Sequence, residues 1–232
     1  QAGAGTGLAV TTAMTLVGSD AANYTLTQPT GLTANIARKS LKVGGVTVSD
    51  KAYDGLLTAT ATYSAATFVG LIGSDSVALD PSAATATFAN KTAAVGKTVT
   101  IAGLTLASSE AANYTVTQPT TTAAITAKNL TVNGVTAANK VYDRTLTATL
   151  NFANAALVGV ESGDTVTPAS SATTGTFATV GVATAKTVSV AGLTLSGADA
   201  GNYTVTQPTT TADITAKALS VIGATAATKI YD

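Results

Sequence analysis

An all-β chain of tandem β-sandwich domains is what this sequence predicts, and three observations carry the prediction. The first is repetition at the scale of a domain. The stretch Asn113-Tyr114-Thr115-Val116-Thr117-Gln118-Pro119-Thr120 has counterparts at Asn23–Thr30 and Asn202–Thr209. Their tyrosines, Tyr24, Tyr114 and Tyr203, stand 90 and 89 positions apart. Lys51-Ala52-Tyr53-Asp54, Lys140-Val141-Tyr142-Asp143 and Lys229-Ile230-Tyr231-Asp232 also keep a step of 89. The second is a period of two. Val188 and Val190 alternate with Thr187 and Ser189, and Leu193 and Leu195 flank Thr194, which is the alternation of a half-buried strand. The third is the spacing of turns. Ser162-Gly163-Asp164, Gly181 and Ser196-Gly197-Ala198-Asp199 interrupt a sequence rich in Thr and Val. Roughly six to eight short strands in about 90 residues make a small sandwich. The step exceeds the roughly 20–50 residues of a solenoid coil and is long enough for a self-contained domain.

Taken in order, residues 1–38 read as the C-terminal part of a repeat, because Met14-Thr15-Leu16 aligns with Leu104-Thr105-Leu106 and Leu193-Thr194-Leu195. Complete β-sandwich repeats span 39–128 and 129–217, and 218–232 reads as the opening strand of a further repeat. In the last complete copy, strands are expected at Leu130–Thr136, Thr145–Phe152, Thr165–Thr167, Thr173–Phe177 and Tyr203–Thr206. Their β-branched side chains suit a pleated surface. The Ala-rich piece Ala153–Ala156 is too short and aperiodic for a helix. From Val190 to Leu193 the apolar step is odd, with Ala191-Gly192 at the slip and Ala102-Gly103 in the same place one repeat earlier. A bulge or bend is expected there. The Pro of Gln-Pro-Thr has no N–H to donate and marks an edge or a strand break. The seams Ile125–Leu130 and Ile214–Leu219 contain no Gly, Pro or Ser-rich linker, so one repeat's last strand is expected to run straight into the next repeat's first.

Composition narrows the function classes. Twelve basic and twelve acidic residues leave no net charge among 232 residues, so nothing favours nucleic acid or an anionic membrane. There is no Cys and no His. That removes a disulfide framework, a thiolate metal site and the commonest general base. No apolar run approaches the roughly 20 residues of a membrane helix. No Gly-x-Ser-x-Gly elbow, phosphate loop or distinguished carboxylate pair is present, so the chain is expected not to be an enzyme.

Three motifs in order carry a resemblance. They are Lys-x-Tyr-Asp-Gly at Lys51–Gly55, the run from Gly192-Leu193-Thr194-Leu195 through Asn202-Tyr203 to Gln207-Pro208, and Ile-Thr-Ala-Lys at 125–128 and 214–217. Together they resemble the YDG-type repeats of large bacterial surface adhesins. They are similar also to the related MBG-type repeats of filamentous-haemagglutinin-like exoproteins. The resemblance covers the whole chain. It implies Ig-like sandwich domains set end to end in a secreted or surface-attached stalk, often of a biofilm matrix or attachment protein. The copies depart from the pattern in places. Arg144 stands where the first copy has Gly55, and Ala107-Ser108-Ser109-Glu110 replaces the Ser-Gly-Ala-Asp form. If Gly55 supplies a positive φ, the second repeat is expected to have lost it.

The candidate site residues are the recurring tyrosines and their acids. Tyr53, Asp54, Tyr142 and Asp143 could stack and hydrogen-bond a sugar, but a ring buried under the sandwich and an Asp capping its turn is the favoured reading. Tyr24, Tyr114 and Tyr203 each follow an Ala-x-Asn turn and are expected to pin a sandwich corner. Asp20, Asp75, Asp164 and Asp199 sit in turns, without the clustered carboxylates calcium requires. Lys51, Lys140, Asn113 and Asn202 recur, but no Glu recurs with them to catalyse a Lys–Asn crosslink. No cofactor and no metal is expected. The expected function is a structural stalk or fibre segment at a bacterial cell surface, its partners being head-to-tail neighbours of the same protein. The rival is a carbohydrate-binding repeat holding extracellular polysaccharide.

Overall fold

The structure, a computed structural model, describes residues 3–231. The chain is all-β, its strands interrupted by single 3-10 turns at Ala21–Asn23, Ser109–Asn113 and Ala200–Asn202. It divides into two compact units. The first comprises Gln1–Lys51 and Leu56–Ile125, the second Ala52–Gly55 and Thr126–Asp232. The short loop Ala52–Gly55 thus belongs by its packing to the second unit.

In the second unit, five strands lie side by side in the order Lys140–Val141, Thr209–Thr215, Ala183–Ala191, Thr174–Phe177, Thr147–Ala148. Alternation decides which side chains go inward. Along Ala183–Ala191, Val188 and Val190 are buried while Thr187 and Ser189 are exposed. Ala148, Phe177, Val188, Ala212 and Ile214 pack into one cluster, and Val132, Val135, Val190 and Leu193 into another. Each such Val, Leu, Ile or Phe contributes about 1.5–3 kcal/mol by leaving water. A second sheet has the order Ala156–Val158, Lys128–Asn133, Tyr203–Val205. The first unit repeats both sheets. Thr120–Thr126, Ala94–Ala102 and Thr85–Phe88 are neighbours in one, and Tyr114–Thr117, Lys39–Gly44 and Thr67–Val69 form the other. Its core includes Leu41, Phe88, Val99, Ile101 and Ile125.

The sheets are mixed. Tyr203–Val205 runs parallel to Lys128–Asn133, as Tyr114–Thr117 does to Lys39–Gly44. Lys140–Val141 runs parallel to Thr209–Thr215. A parallel neighbour needs a long crossover, and here most of a repeat supplies it. The expected strand Thr145–Phe152 is instead two short ones, Thr147–Ala148 and Leu150–Asn151. They pair with different sheets, the first with Thr174–Phe177 and the second with Thr136–Ala137. The expected strand Thr165–Thr167 lies later, at Thr167–Ala169, where Pro168 sits in a two-stranded ribbon with Thr194–Ser196.

Gly103 and Gly192 mark a bend, with φ of 78° and 79°. At each the chain leaves a long strand of the main sheet and enters a short strand of a two-stranded ribbon. A Cβ at Gly192 would come within 2.7 Å of the Ala172 carbonyl oxygen. The register bulges lie elsewhere, between Ala94 and Lys97 and between Ala183 and Lys186. Strands Thr120–Thr126 and Lys128–Asn133 are separated by Ala127 alone, as the seam predicts. Residues 218–231 differ from expectation and contain no strand. The counterpart Lys128–Asn133 is held by Tyr203–Val205, which lies about 75 positions further on. Asp232 lies outside the described residues.

Candidate functional site

The recurring tyrosines converge on aspartates. In the second unit, the 3-10 turn Ala200–Asn202 delivers Tyr203 into the strand Tyr203–Val205, its N–H donating to the Ala200 carbonyl. Tyr203 is buried, and its hydroxyl donates to Asp164 Oδ2 at 2.7 Å while accepting the Glu161 N–H at 3.0 Å. Tyr53, only 1% exposed, donates its own hydroxyl to the same Asp164 oxygen at 2.7 Å. The two rings meet edge to face, centroids 5.3 Å apart at 75°, the arrangement favoured by the ring quadrupole. The Lys128–Glu161 ion pair flanks this cluster. Burial pushes the Tyr203 hydroxyl up to about 12, and the Asp164 carboxylate adds to the rise against the opposing Glu161 N–H.

The first unit builds the same pair. Tyr114 follows the turn Ser109–Asn113, donates to Asp75 Oδ2 at 2.6 Å and accepts the Ile72 N–H at 3.1 Å. Its hydroxyl is raised from its ordinary pKa, chiefly by the bond to Asp75 and then by burial. Beside this pair lies a cavity of about 250 Å³ whose walls include Ile36, Ala37, Lys39, Ile72, Asp75 and Tyr114.

The other motif residues are distributed as follows. Tyr142 is half-buried against the cluster of Phe177 and Ile214. Asp143 accepts the Thr145 N–H at 2.8 Å and pairs with Lys140 at 2.8 Å, which closes its turn. The Lys140 contact and then the Thr145 bonds hold its carboxyl down at about 2. Asp54 is partly buried, and Tyr24 is 70% exposed. So Tyr114 and Tyr203 are buried corner residues, and Tyr24 is not. Lys51 and Lys140 stand over the rings of Phe88 and Phe177 at 5.7 and 5.6 Å, and Asn113 Oδ1 accepts the Ala4 N–H. Among the described residues no cluster of three acidic side chains could hold a metal ion.

Two sets of residues escaped the sequence reading. Asp75 and Asp164 read in sequence only as turn acids, yet each lies 39 positions before the tyrosine whose hydroxyl donates to it. The second set is Gln28, Gln118 and Gln207. Each clamps a backbone 14 positions earlier with both ends of its amide. Gln207 Oε1 accepts the Leu193 N–H at 2.9 Å, and its Nε2 donates to the Leu193 carbonyl at 2.8 Å. Gln28 does the same to Met14, which fixes the alignment of Met14 with Leu104 and Leu193.

A family model for the YDG domain matches residues 37–123 and again 126–212. The chain belongs to the YDG domain family. No curated protein and no solved structure matches it. Tyr53-Asp54-Gly55 spells the letters of the YDG family, and its tyrosine is the one that reaches Asp164. The second YDG repeat reads Tyr142-Asp143-Arg144. Against expectation, Arg144 keeps the positive φ, 69° where Gly55 has 75°. The Asx turn of Asp143 and the bonds of Lys140 to the Thr145 and Thr147 carbonyls impose that geometry without a glycine.

Proposed function

We propose that these tandem YDG domains form a structural segment of a bacterial extracellular adhesin or matrix fibre, one that spaces other parts of an assembly and turns over no substrate. The observation that carries this reading is the use made of the conserved-step residues within the chain. Tyr53, Tyr114, Tyr203, Asp75 and Asp164 are occupied in holding the fold together. The corner tyrosine recurs in both units and is buried in each, Tyr114 at 3% and Tyr203 at 6% exposure, which supports an architectural role. The near-absence of titratable chemistry agrees with it, with no His, no Cys and balanced charge.

The rival reading, a glycan-binding repeat, needs open aromatic faces. Tyr53 has none to offer at 1% exposure, whereas Tyr142 is half-buried. A glycan and matrix-polysaccharide screen of the chain, run beside Tyr142→Ala, separates the two. No retained glycan is the expected result. A glycan held by the chain and lost with Tyr142→Ala would replace the fibre reading with the rival. Antibody raised against the chain should label intact cells of its source; label that appears only after permeabilisation would exclude an extracellular fibre.

A further inference from the structure

We propose that Asn90 is an acceptor for an N-linked sugar, its side-chain nitrogen taking a glycosyl group from a sugar activated as a diphosphate. The proposal goes beyond the fibre reading and does not depend on it. Asn90-Lys91-Thr92 has the form Asn-x-Thr with x other than proline, the acceptor pattern for that transfer, which needs a surface loop. It lies in the loop of residues 89–93, which joins the antiparallel strands Thr85–Phe88 and Ala94–Ala102 of the first unit. Asn90, Lys91 and Thr92 are all exposed.

The two ends of the Asn90 amide are held differently. Its Oδ1 accepts the Thr92 N–H at 3.3 Å, the Thr92 hydroxyl at 2.6 Å and the Lys97 ammonium. The first of these closes an Asx turn. Lys97 is buried and also donates to Thr92 Oγ1 at 3.3 Å. Among the described residues no acceptor holds the Asn90 Nδ2, so the oxygen anchors the group and the nitrogen remains available. An amide nitrogen is a weak nucleophile because its lone pair is shared with the oxygen. Three donors on that oxygen, one of them cationic, favour loss of the Nδ2 proton. In the transfer Nδ2 attacks the anomeric carbon. The bond from that carbon to the diphosphate oxygen breaks, and its electron pair leaves with the diphosphate. The Nδ2 proton passes to a base of the glycosyltransferase, and Oδ1 keeps its donors throughout.

The fold withdraws the other Asn-x-Thr triplets. Asn113 and Asn202 open the corner sequence, whose middle residues Tyr114 and Tyr203 are buried, and Asn202 is itself buried. Asn23 begins the same corner sequence. Asn129 lies within the strand Lys128–Asn133, and its Nδ2 donates to Thr206 Oγ1 at 2.7 Å. The second unit shows that holding the lysine requires no asparagine. At a step of 89, Lys186 corresponds to Lys97 and Thr179 to Asn90. Lys186 Nζ donates to Thr179 Oγ1 at 2.5 Å, and Gly181 stands in the place of Thr92. Asn90 and Thr92 together therefore supply more than a seat for the lysine. A sugar there places a bulky, hydrated group on a chain with no net charge to keep its copies apart.

Protein isolated from its source cells, cut with trypsin and mapped by mass spectrometry tests this. The fragment of residues 52–91 contains Asn90 as its one asparagine. It should carry a sugar on Asn90, with Asn113, Asn129 and Asn202 bare. Asn90→Thr copies the second unit, leaves an oxygen for Lys97 and should lose the sugar. Thr92→Ala should lose it as well, whereas Thr92→Ser restores the hydroxyl and should retain it; this pair asks the same question with Asn90 in place. A bare Asn90 in the source protein overturns the proposal. Sugar spread alike over all the Asn-x-Thr sites also overturns it, because the fold would then select nothing. Sugar that survives Thr92→Ala at the parent's occupancy does the same. The glycan screen reads sugar held without a covalent bond, and antibody labelling reads the place of the chain in the cell. Failure here is therefore distinct from failure of the fibre reading.

Discussion

At the scale of the residue, backbone geometry is repeated more faithfully than residue type. Among the described residues, Ser108, Arg144 and Ala185 are the non-glycine residues with positive φ, at 110°, 69° and 49°. Each stands where a sister repeat has glycine: Gly197, Gly55 and Gly96. A side chain in the left-handed region costs roughly 1–2 kcal/mol, partly offset in glycine by greater chain entropy. Arg144→Gly and Ser108→Gly should therefore each raise the unfolding free energy, by about 0.5–1.5 kcal/mol, as read from urea denaturation midpoints. A loss of stability in both would mean that neighbours have relieved the strain. The tyrosine hydroxyls make a second prediction. The hydroxyl of Tyr203 lies at about 12 in the folded chain against 10.0 ordinarily. The folded state then binds its proton more tightly, so the stabilisation is complete below pH 10 and is lost as pH rises from 10 to 12. Thermal unfolding followed across that window should show a falling midpoint, and Tyr203→Phe should flatten the fall.

At the scale of the element, the two-handed glutamine clamp joins pieces that no ladder joins. Leu193 follows the bend at Gly192 and is 2% exposed. Its N–H and carbonyl both bond to Gln207, whose neighbour Pro208 has no N–H to donate. Gln207→Ala would leave two buried backbone groups unpaired, at about 1–3 kcal/mol each and less where water enters. A destabilisation of about 2–4 kcal/mol is expected in chemical denaturation. Gln28→Ala makes the contrast, because its partner Met14 is 50% exposed and water can replace the amide. Equal losses in the two variants would show that burial does not set the clamp's worth.

At the scale of the whole molecule, one loop counts with a unit that does not contain its sequence neighbours. Ala52–Gly55 packs in the second unit, while Lys51 and Leu56 belong to the first. Tyr53→Ala removes a fully buried ring and one of two donors to Asp164, a cost of about 3–5 kcal/mol. Hydrogen exchange should speed up at Glu161 and Tyr203, leaving their counterparts Ile72 and Tyr114 unchanged. Tyr53→Phe should cost less, about 1–3 kcal/mol, because the ring remains and Asp164 keeps the Tyr203 hydroxyl. Loss of protection spread evenly over both units would show that Tyr53 does not act locally.

The amino-acid order by itself determined the all-β class, the step of 89 and the inward side chains. Period-two alternation and β-branched residues act locally, so Val188, Val190 and Phe177 were legible as core strand positions. The recurrence of Tyr114 and Tyr203 after a turn was likewise enough to expect buried corners. Only the tertiary structure decided the rest. Parallel pairing of Lys128–Asn133 with Tyr203–Val205 joins segments about 75 residues apart, and no local pattern encodes which strand closes such a loop. The same holds for Asp164. Its carboxylate looks like any turn acid in sequence, and becomes an acceptor for two tyrosines because packing brings Tyr53 and Tyr203 to it from 111 and 39 residues away. The positive φ at Arg144 is the converse case, where the residue alone argues against a conformation that its hydrogen-bonded surroundings enforce.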